Sequence, residues 1–181
     1  LNPPIQLVGE GFHVEPIVAA IQANPQLWNE HTARTRSYVH GDVSDIWIRY
    51  NAIENLENGL DSFNKEHESV WYPSADILGV KPLIFDVMRL VQATKLAGVL
   101  ITKIPSGAMC HPHRDRGWHA ETHEKFAVQL AGNDKQAFCF EEAKLVTRPG
   151  DLFTFDNSLT HWVTNDSDED RMTLIICVRR T

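Results

Sequence analysis

After Gly98 the chain is punctuated like a β-protein. Short β-branched and aromatic runs occupy 99–104, 126–130, 137–140, 143–146, 152–155, 162–164 and 172–178. Turn chemistry separates them, most clearly Arg148-Pro149-Gly150-Asp151 and Asn165-Asp166-Ser167-Asp168. Many short strands at this spacing mean a sandwich or a barrel. With helices ahead of them, the expected fold is mainly β with supporting helices: a double-stranded β-helix of jelly-roll, cupin-like form. Such a fold brings strands far apart in sequence together at one mouth.

The first half carries the supporting elements. Apolar residues at 14, 17, 18 and 21 predict a helix over 14–24, ended by Asn24-Pro25. Residues 26–44 have no clear period and read as loop with at most a short helical turn. Over 45–51, Ile46, Ile48 and Tyr50 alternate with Trp47 and Arg49, which is a strand signal. Trp47 and Arg49 should then share a face, with the arginine stacked on a tryptophan. The stretch 52–80 is too long for a structureless loop, so it should contain short helices or lie over the functional site. The clearest helix spans 82–95, with Ile84, Val87, Met88 and Val91 on one stripe, Pro82 in the first turn and Gly98 just past the end. The chain divides as one domain, 1–181: a mixed buttress and substrate-side region over 1–96 and a jelly-roll core over 97–181.

A formal charge of −7 argues against a phosphate-tracking surface, so nucleic acid is not the expected partner. No apolar run reaches the ~20 residues of a membrane helix. Cys110, Cys139 and Cys177 form no Cys-x-x-Cys pair, and Leu1-Asn2-Pro3-Pro4-Ile5 lacks the basic and apolar segments of a signal peptide. Reduced thiols in the cytoplasm are the expectation.

Chemistry concentrates in Cys110-His111-Pro112-His113-Arg114-Asp115. In an extended strand His113 and Asp115 would point to one face and offer an imidazole nitrogen and a carboxylate oxygen to one ion. His161, far downstream, is available as a third ligand. Two histidines and a carboxylate on one face of an octahedron, with other positions open, is the arrangement of non-haem Fe(II) oxygenases. Ten residues beyond His161, Arg171 heads an apolar run and could hold a carboxylate by a two-pronged hydrogen bond. Over 125–130, Phe126, Val128 and Leu130 should face the helices, leaving Lys125, Ala127 and Gln129 toward the barrel interior.

This order, His-x-Asp, then His, then Arg, resembles the Fe(II)/2-oxoglutarate-dependent oxygenases, and within them the aspartyl/asparaginyl β-hydroxylase group. As in that group, a proline (Pro112) precedes the first metal histidine and a small hydroxyl residue (Thr102) lies eleven positions before it. The distal histidine is followed by a valine (Val163) and by an arginine at +10. The animal β-hydroxylases lack the carboxylate ligand, which Asp115 supplies here. The group also has an arginine, followed two residues on by a histidine, that helps hold the cosubstrate; Lys125 and Ala127 stand at those places. The resemblance implies His113, Asp115 and His161 as Fe(II) ligands. It implies Arg171, Thr102 and Lys125 as contacts to 2-oxoglutarate, and molecular oxygen as co-reactant. The implied substrate is an Asp/Asn-like side chain of a peptide, protein or small amino-acid-like molecule, met by the segments 30–80 and 116–124.

Other readings stand beside this one. His111-Pro112-His113 with Glu121 and His161 could form a cupin-type metal site, in which His111 matters as much as His113. His119 and His123, four apart, could bind zinc on a helix, although Gly117 and Trp118 favour a mobile rim loop. A non-catalytic jelly-roll module that binds a metal or a small molecule would tolerate loss of Arg171.

Overall fold

Alternation decides which face each strand buries, and the strands here form two antiparallel sheets. The computed structural model describes residues 3–180. The larger sheet has the order β1 (Ile5–Gly9), β9 (Leu152–Phe155), β6 (Glu124–Ala131), β11 (Arg171–Arg179), β4 (Lys95–Ile104), β2 (Ser44–Tyr50), β3 (Val70–Trp71). The smaller runs β5 (Met109–His113), β10 (His161–Asn165), β7 (Gln136–Phe140), β8 (Lys144–Leu145). From β4 to β11 the chain passes back and forth between the two sheets, which is the double-stranded β-helix expected from the turn pattern.

One face of the large sheet is covered by α1 (Glu15–Ala23) and α4 (Lys81–Leu90). Phe126, Val128 and Leu130 of β6 join Leu174, Ile176 and Val178 of β11 there, against Ile17, Ile21, Ile84 and Val87. Ile84, Val87, Val128, Leu174 and Ile176 are fully buried, and each contributes about 1.5–3 kcal/mol relative to exposure. The other face meets the small sheet, with Ala127, Phe153 and Phe155 opposite Phe138, Phe140 and Val163. Lys125 and Ala127 therefore look inward and the apolar set outward, as the alternation required.

Several local expectations change. The helix expected over 82–95 stops at Leu90, because Gln92 adopts a left-handed conformation (φ 57°) and Ala93 N–H closes onto the Met88 carbonyl. Lys95 is taken by the sheet opposite Arg179, and Gly98 lies inside β4 rather than past a helix end. The stretch 52–80 holds a 3₁₀ turn, Ile53–Asn58, and the short helices α2 (Leu60–Phe63) and α3 (Ser74–Ile77). Residues 118–122 are not a loop but a short helix, α5 (Trp118–Thr122). A register shift between Trp47 and Arg49 breaks their shared face. Trp47 packs with Phe63 and Tyr72, whereas Arg49 lies 4.8 Å from the ring centre of its cross-strand partner Trp71. Gly150 (φ 90°) serves the turn before β9, where a Cβ would come 2.7 Å from the Phe12 carbonyl oxygen. Among the described residues no helix is long and apolar enough to cross a membrane.

Candidate active site

Between the two sheets opens a cavity of about 700 Å³. His113 ends β5 and His161 begins β10, and the two are direct partners in the ladder, with ring centres 4.5 Å apart. Each ring is oriented the same way. His113 Nδ1 lies 2.7 Å from the His111 carbonyl oxygen, and His161 Nδ1 lies 2.9 Å from that of Leu159. A carbonyl oxygen only accepts, so each Nδ1 carries the hydrogen and Nε2 is the nitrogen left to face a ligand.

Asp115 joins them by a different route from the one its spacing suggested. β5 ends at His113, so strand alternation does not place the carboxylate; instead Asp115 N–H donates to the Asn157 carbonyl (3.0 Å) and pins the segment against the loop before β10. Asp115 Oδ1 then lies 3.4 Å from His113 Nε2. One donor atom each from His113, Asp115 and His161 fall within 4.8 Å of one another, spacing that small shifts would turn into coordination of one ion.

Burial opposes charge on Asp115, but the Lys125 ammonium and the His113 imidazole hold its carboxyl well below the usual range. Burial also works against the His113 cation, yet hydrogen bonding to Asp115, Cys110 and the His111 carbonyl lifts it to about 10. His161 is pushed down, chiefly by burial. Lys125, expected at a cosubstrate, is inward as foreseen but ion-pairs with Asp115.

Arg171 lines the same cavity and is 3% exposed. Its Nη1 donates to Thr173 Oγ1 (2.7 Å), while its Nη2 has no partner. Burial lowers its pKa to about 10. Thr102, directly across the ladder from Thr173, also lines the cavity and its buried Oγ1 is likewise unpartnered. A buried guanidinium facing only a hydroxyl costs several kcal/mol, so the pair has the donor set for a carboxylate brought in from outside.

The rival histidines fall elsewhere. His111 Nε2 meets Asp42 at 3.2 Å, and its ring stacks on Tyr38. Among the described residues, neither His111 nor Glu121 belongs to a group placed to hold a metal. His119 Nε2 accepts the Gly98 N–H at 3.1 Å, which docks α5 on β4, and His123 Nδ1 lies 3.0 Å from the His119 carbonyl. Sequence reasoning passed over His40 and Arg34, which line the cavity from the aperiodic stretch 26–44. Arg34 is held there by both oxygens of the fully buried Asp45, at 2.7 and 2.8 Å.

No curated protein sequence matches the chain. Among solved structures, it is similar to an oxidoreductase of the 2OG-Fe(II) oxygenase family from Burkholderia pseudomallei, at 13% identity and a TM-score of 0.62 over 94% of this chain and 80% of that one. It is similar to a prolyl hydroxylase in complex with a hypoxia inducible factor peptide fragment from Trichoplax adhaerens, at 12% identity and a TM-score of 0.65 over 99% and 84%. A viral collagen prolyl hydroxylase from Paramecium Bursaria Chlorella virus-1 aligns at 11% identity and a TM-score of 0.53 over 99% and 98%. At such identities the likeness speaks for the fold. The family model described as Aspartyl/Asparaginyl beta-hydroxylase matches residues 82–181, which hold the whole smaller sheet and every residue of the histidine–aspartate and arginine–threonine clusters. The match covers more than half of the chain, and this protein is a member of the aspartyl/asparaginyl β-hydroxylase family, an enzyme of the 2-oxoglutarate- and Fe(II)-dependent oxygenase class.

Proposed function

We propose that His113, Asp115 and His161 hold Fe(II), that Arg171 and Thr102 hold the distal carboxylate of 2-oxoglutarate, and that the enzyme hydroxylates an Asp/Asn-like side chain. The observation that carries this reading is the unpartnered Nη2 of buried Arg171 beside the unpartnered Oγ1 of Thr102, in the cavity the three ligands share. When bound, iron and the oxo acid supply the oxidation: molecular oxygen turns a substrate C–H into C–OH while 2-oxoglutarate becomes succinate and CO2. The chain supplies placement. The two carbonyl-held imidazoles present Nε2, and Lys125 keeps Asp115 ionised and oriented in the manner of an outer-shell partner.

Charge at the mouth supports an acidic substrate, as an aspartyl residue or an amino acid with a free carboxylate would be. Arg114 and Arg116 flank Asp115, line the cavity and are exposed, and neither has a carboxylate within ion-pair distance among the described residues. Trp47, Tyr50, Phe63 and Trp118 supply an aromatic wall for the rest of the molecule. The chain works as one domain, with residues 1–96 as buttress and substrate side and 97–181 as the core. Three buried, unpaired cysteines suit a reducing, cytoplasmic setting.

Anaerobic titration of Fe(II)-loaded protein with 2-oxoglutarate tests the reading through the weak visible charge-transfer band of the chelate. The band should form, should vanish in Asp115→Ala, and should need far more oxo acid in Arg171→Ala. Iron binding without the band, or a band indifferent to Arg171→Ala, rejects it.

A further inference from the structure

His113 has two polar sides, and the proposed iron site uses one of them. Its Nε2 faces Asp115; its Nδ1 faces the sulfur of Cys110 at 3.9 Å. Close by stands His40, whose ring meets that of His113 edge-on with centres 4.8 Å apart. His40 sits on the 3₁₀ turn Tyr38–His40, where Ser37 Oγ engages its Nδ1 at 3.0 Å and leaves Nε2 unengaged. Cys110 is buried, and besides the contact to His113 its thiol meets the Val39 carbonyl oxygen at 3.5 Å. One donor atom from each of His40, Cys110 and His113 lies within 4.8 Å of the other two. Donors around a tetrahedral zinc, with Zn–S of about 2.3 Å and Zn–N of about 2.0–2.1 Å, stand roughly 3.3–3.8 Å apart. Closing the cluster onto an ion therefore asks for shifts of about 1 Å or less.

We propose that His40, Cys110 and His113 form a second metal site, selective for zinc-like thiophilic ions, whose occupation is mutually exclusive with Fe(II) at His113, Asp115 and His161. The donor sets differ in kind. A thiolate with two imidazoles suits Zn(II), whereas two imidazoles with a carboxylate and open positions suit Fe(II). Binding releases the Cys110 thiol proton to solvent, shifts the His113 ring proton from Nδ1 to Nε2, where it faces Asp115, and breaks the bond from Nδ1 to the His111 carbonyl. That bond holds the tautomer and ring orientation which present Nε2 to the iron side. An ion drawn to the cysteine side therefore takes His113 away from iron and stops turnover. The coordination stands on the geometry of the three residues; its effect on turnover rests on the proposed role of His113.

Co(II) serves as a spectroscopic stand-in for zinc. The metal-stripped chain is titrated with Co(II) and the near-ultraviolet thiolate-to-cobalt band is followed. The iron-side ligands contain no sulfur and give no such band. The band should saturate at one ion per chain, disappear in Cys110→Ser, and require at least about tenfold more Co(II) in His40→Ala, since even outer-shell losses cost 10–100-fold. His40 is half-buried on a surface turn, so its variant decides the matter even where Cys110→Ser folds poorly. Added Zn(II) should abolish the band and lower Fe(II) binding by the wild-type protein. No band in the wild-type protein, a band that survives Cys110→Ser, or one indifferent to His40→Ala overturns the proposal. Asp115→Ala separates the two sites, because it should keep the thiolate band while losing the iron–oxo acid chromophore. A thiolate band in a wild-type protein that never forms that chromophore would sink the oxygenase reading and leave the second site standing.

Discussion

Replacing Arg171 by methionine should separate what the folded chain needs from what its cosubstrate needs. In the unliganded protein the guanidinium is buried with one hydrogen bond, to Thr173, and an unpartnered Nη2. Exchanging a poorly compensated buried charge for an apolar side chain of similar length is neutral to stabilising, by up to ~4 kcal/mol. The lost bond to Thr173 returns about 1 kcal/mol. Arg171→Met should therefore fold at least as stably as the parent without ligand. Binding of 2-oxoglutarate should move the other way. Truncating one partner of a buried, hydrogen-bonded charge pair costs about 2–5 kcal/mol, which is a rise in Kd of roughly 30-fold to several thousand-fold.

Thermal unfolding with an inert divalent metal and graded oxo acid reads both effects. At 100 Kd the parent should gain about 2.7 kcal/mol from the ligand, or roughly 5–11 °C in Tm for a domain of this size. A variant binding 100-fold more weakly would gain about 0.4 kcal/mol at the same concentration, some 1–2 °C. Calorimetric titration gives the two affinities directly. The reasoning is refuted if Arg171→Met loses more than ~2 kcal/mol without ligand yet keeps the parent's response to 2-oxoglutarate, because Arg171 would then be a structural cation.

Three further outcomes are expected. His111→Ala should leave Fe(II) stoichiometry unchanged and His113→Ala should abolish it, measured by metal analysis after gel filtration; equal losses would restore the cupin-type reading. Gly98→Ala puts a Cβ 2.9 Å from His119 Nε2 and 3.0 Å from Tyr50 Cδ2, which should cost about 1–3 kcal/mol in urea unfolding and loosen hydrogen exchange across 118–122. Ile84→Ala removes a fully buried side chain between α4 and the large sheet and should cost about 2–5 kcal/mol; a matching loss of metal affinity in the folded variant would mean the buttress does more than support.

The strands of the second half were legible because β-branched and aromatic residues alternate there against clear turns. Each strand read in that half has a counterpart in the structure. β1 was not legible: Leu7 and Val8 are exposed on an edge strand next to two prolines, so burial leaves no alternation in its sequence. β5 was hidden for another reason. Cys110-His111-Pro112-His113 has no apolar period, and the segment is a strand because β10 pairs with it. The end of α4 depended on one non-glycine residue, Gln92, taking a left-handed conformation, which its type does not announce. Of the proposed site, His113, Asp115, His161 and Arg171 could be picked out from order and spacing, and Thr102 from the resemblance to the family. His40, Arg34 and the Lys125–Asp115 ion pair could not, since they depend on where an aperiodic loop and a distant strand come to rest.

The proline ahead of His113 shows how the local and the long-range parts join. Along β10 and β5, His161 faces His113, but Val163 faces Cys110, so β5 spends one residue more than its partner over this stretch. The extra residue lies at 111–112, where Pro112 has no N–H to give the ladder. A bulge at that place bends the strand and re-aims the side chain that follows it. Without the extra residue, the side-chain period of two would turn His113 to the opposite face from the one that meets His161. The two histidines come face to face because a residue that cannot pair precedes the first of them, and both rings turn Nε2 to the cavity because each is tied through Nδ1 to a carbonyl two residues back. On this account the proline shapes the proposed metal site by geometry, although it offers no donor atom to the ion.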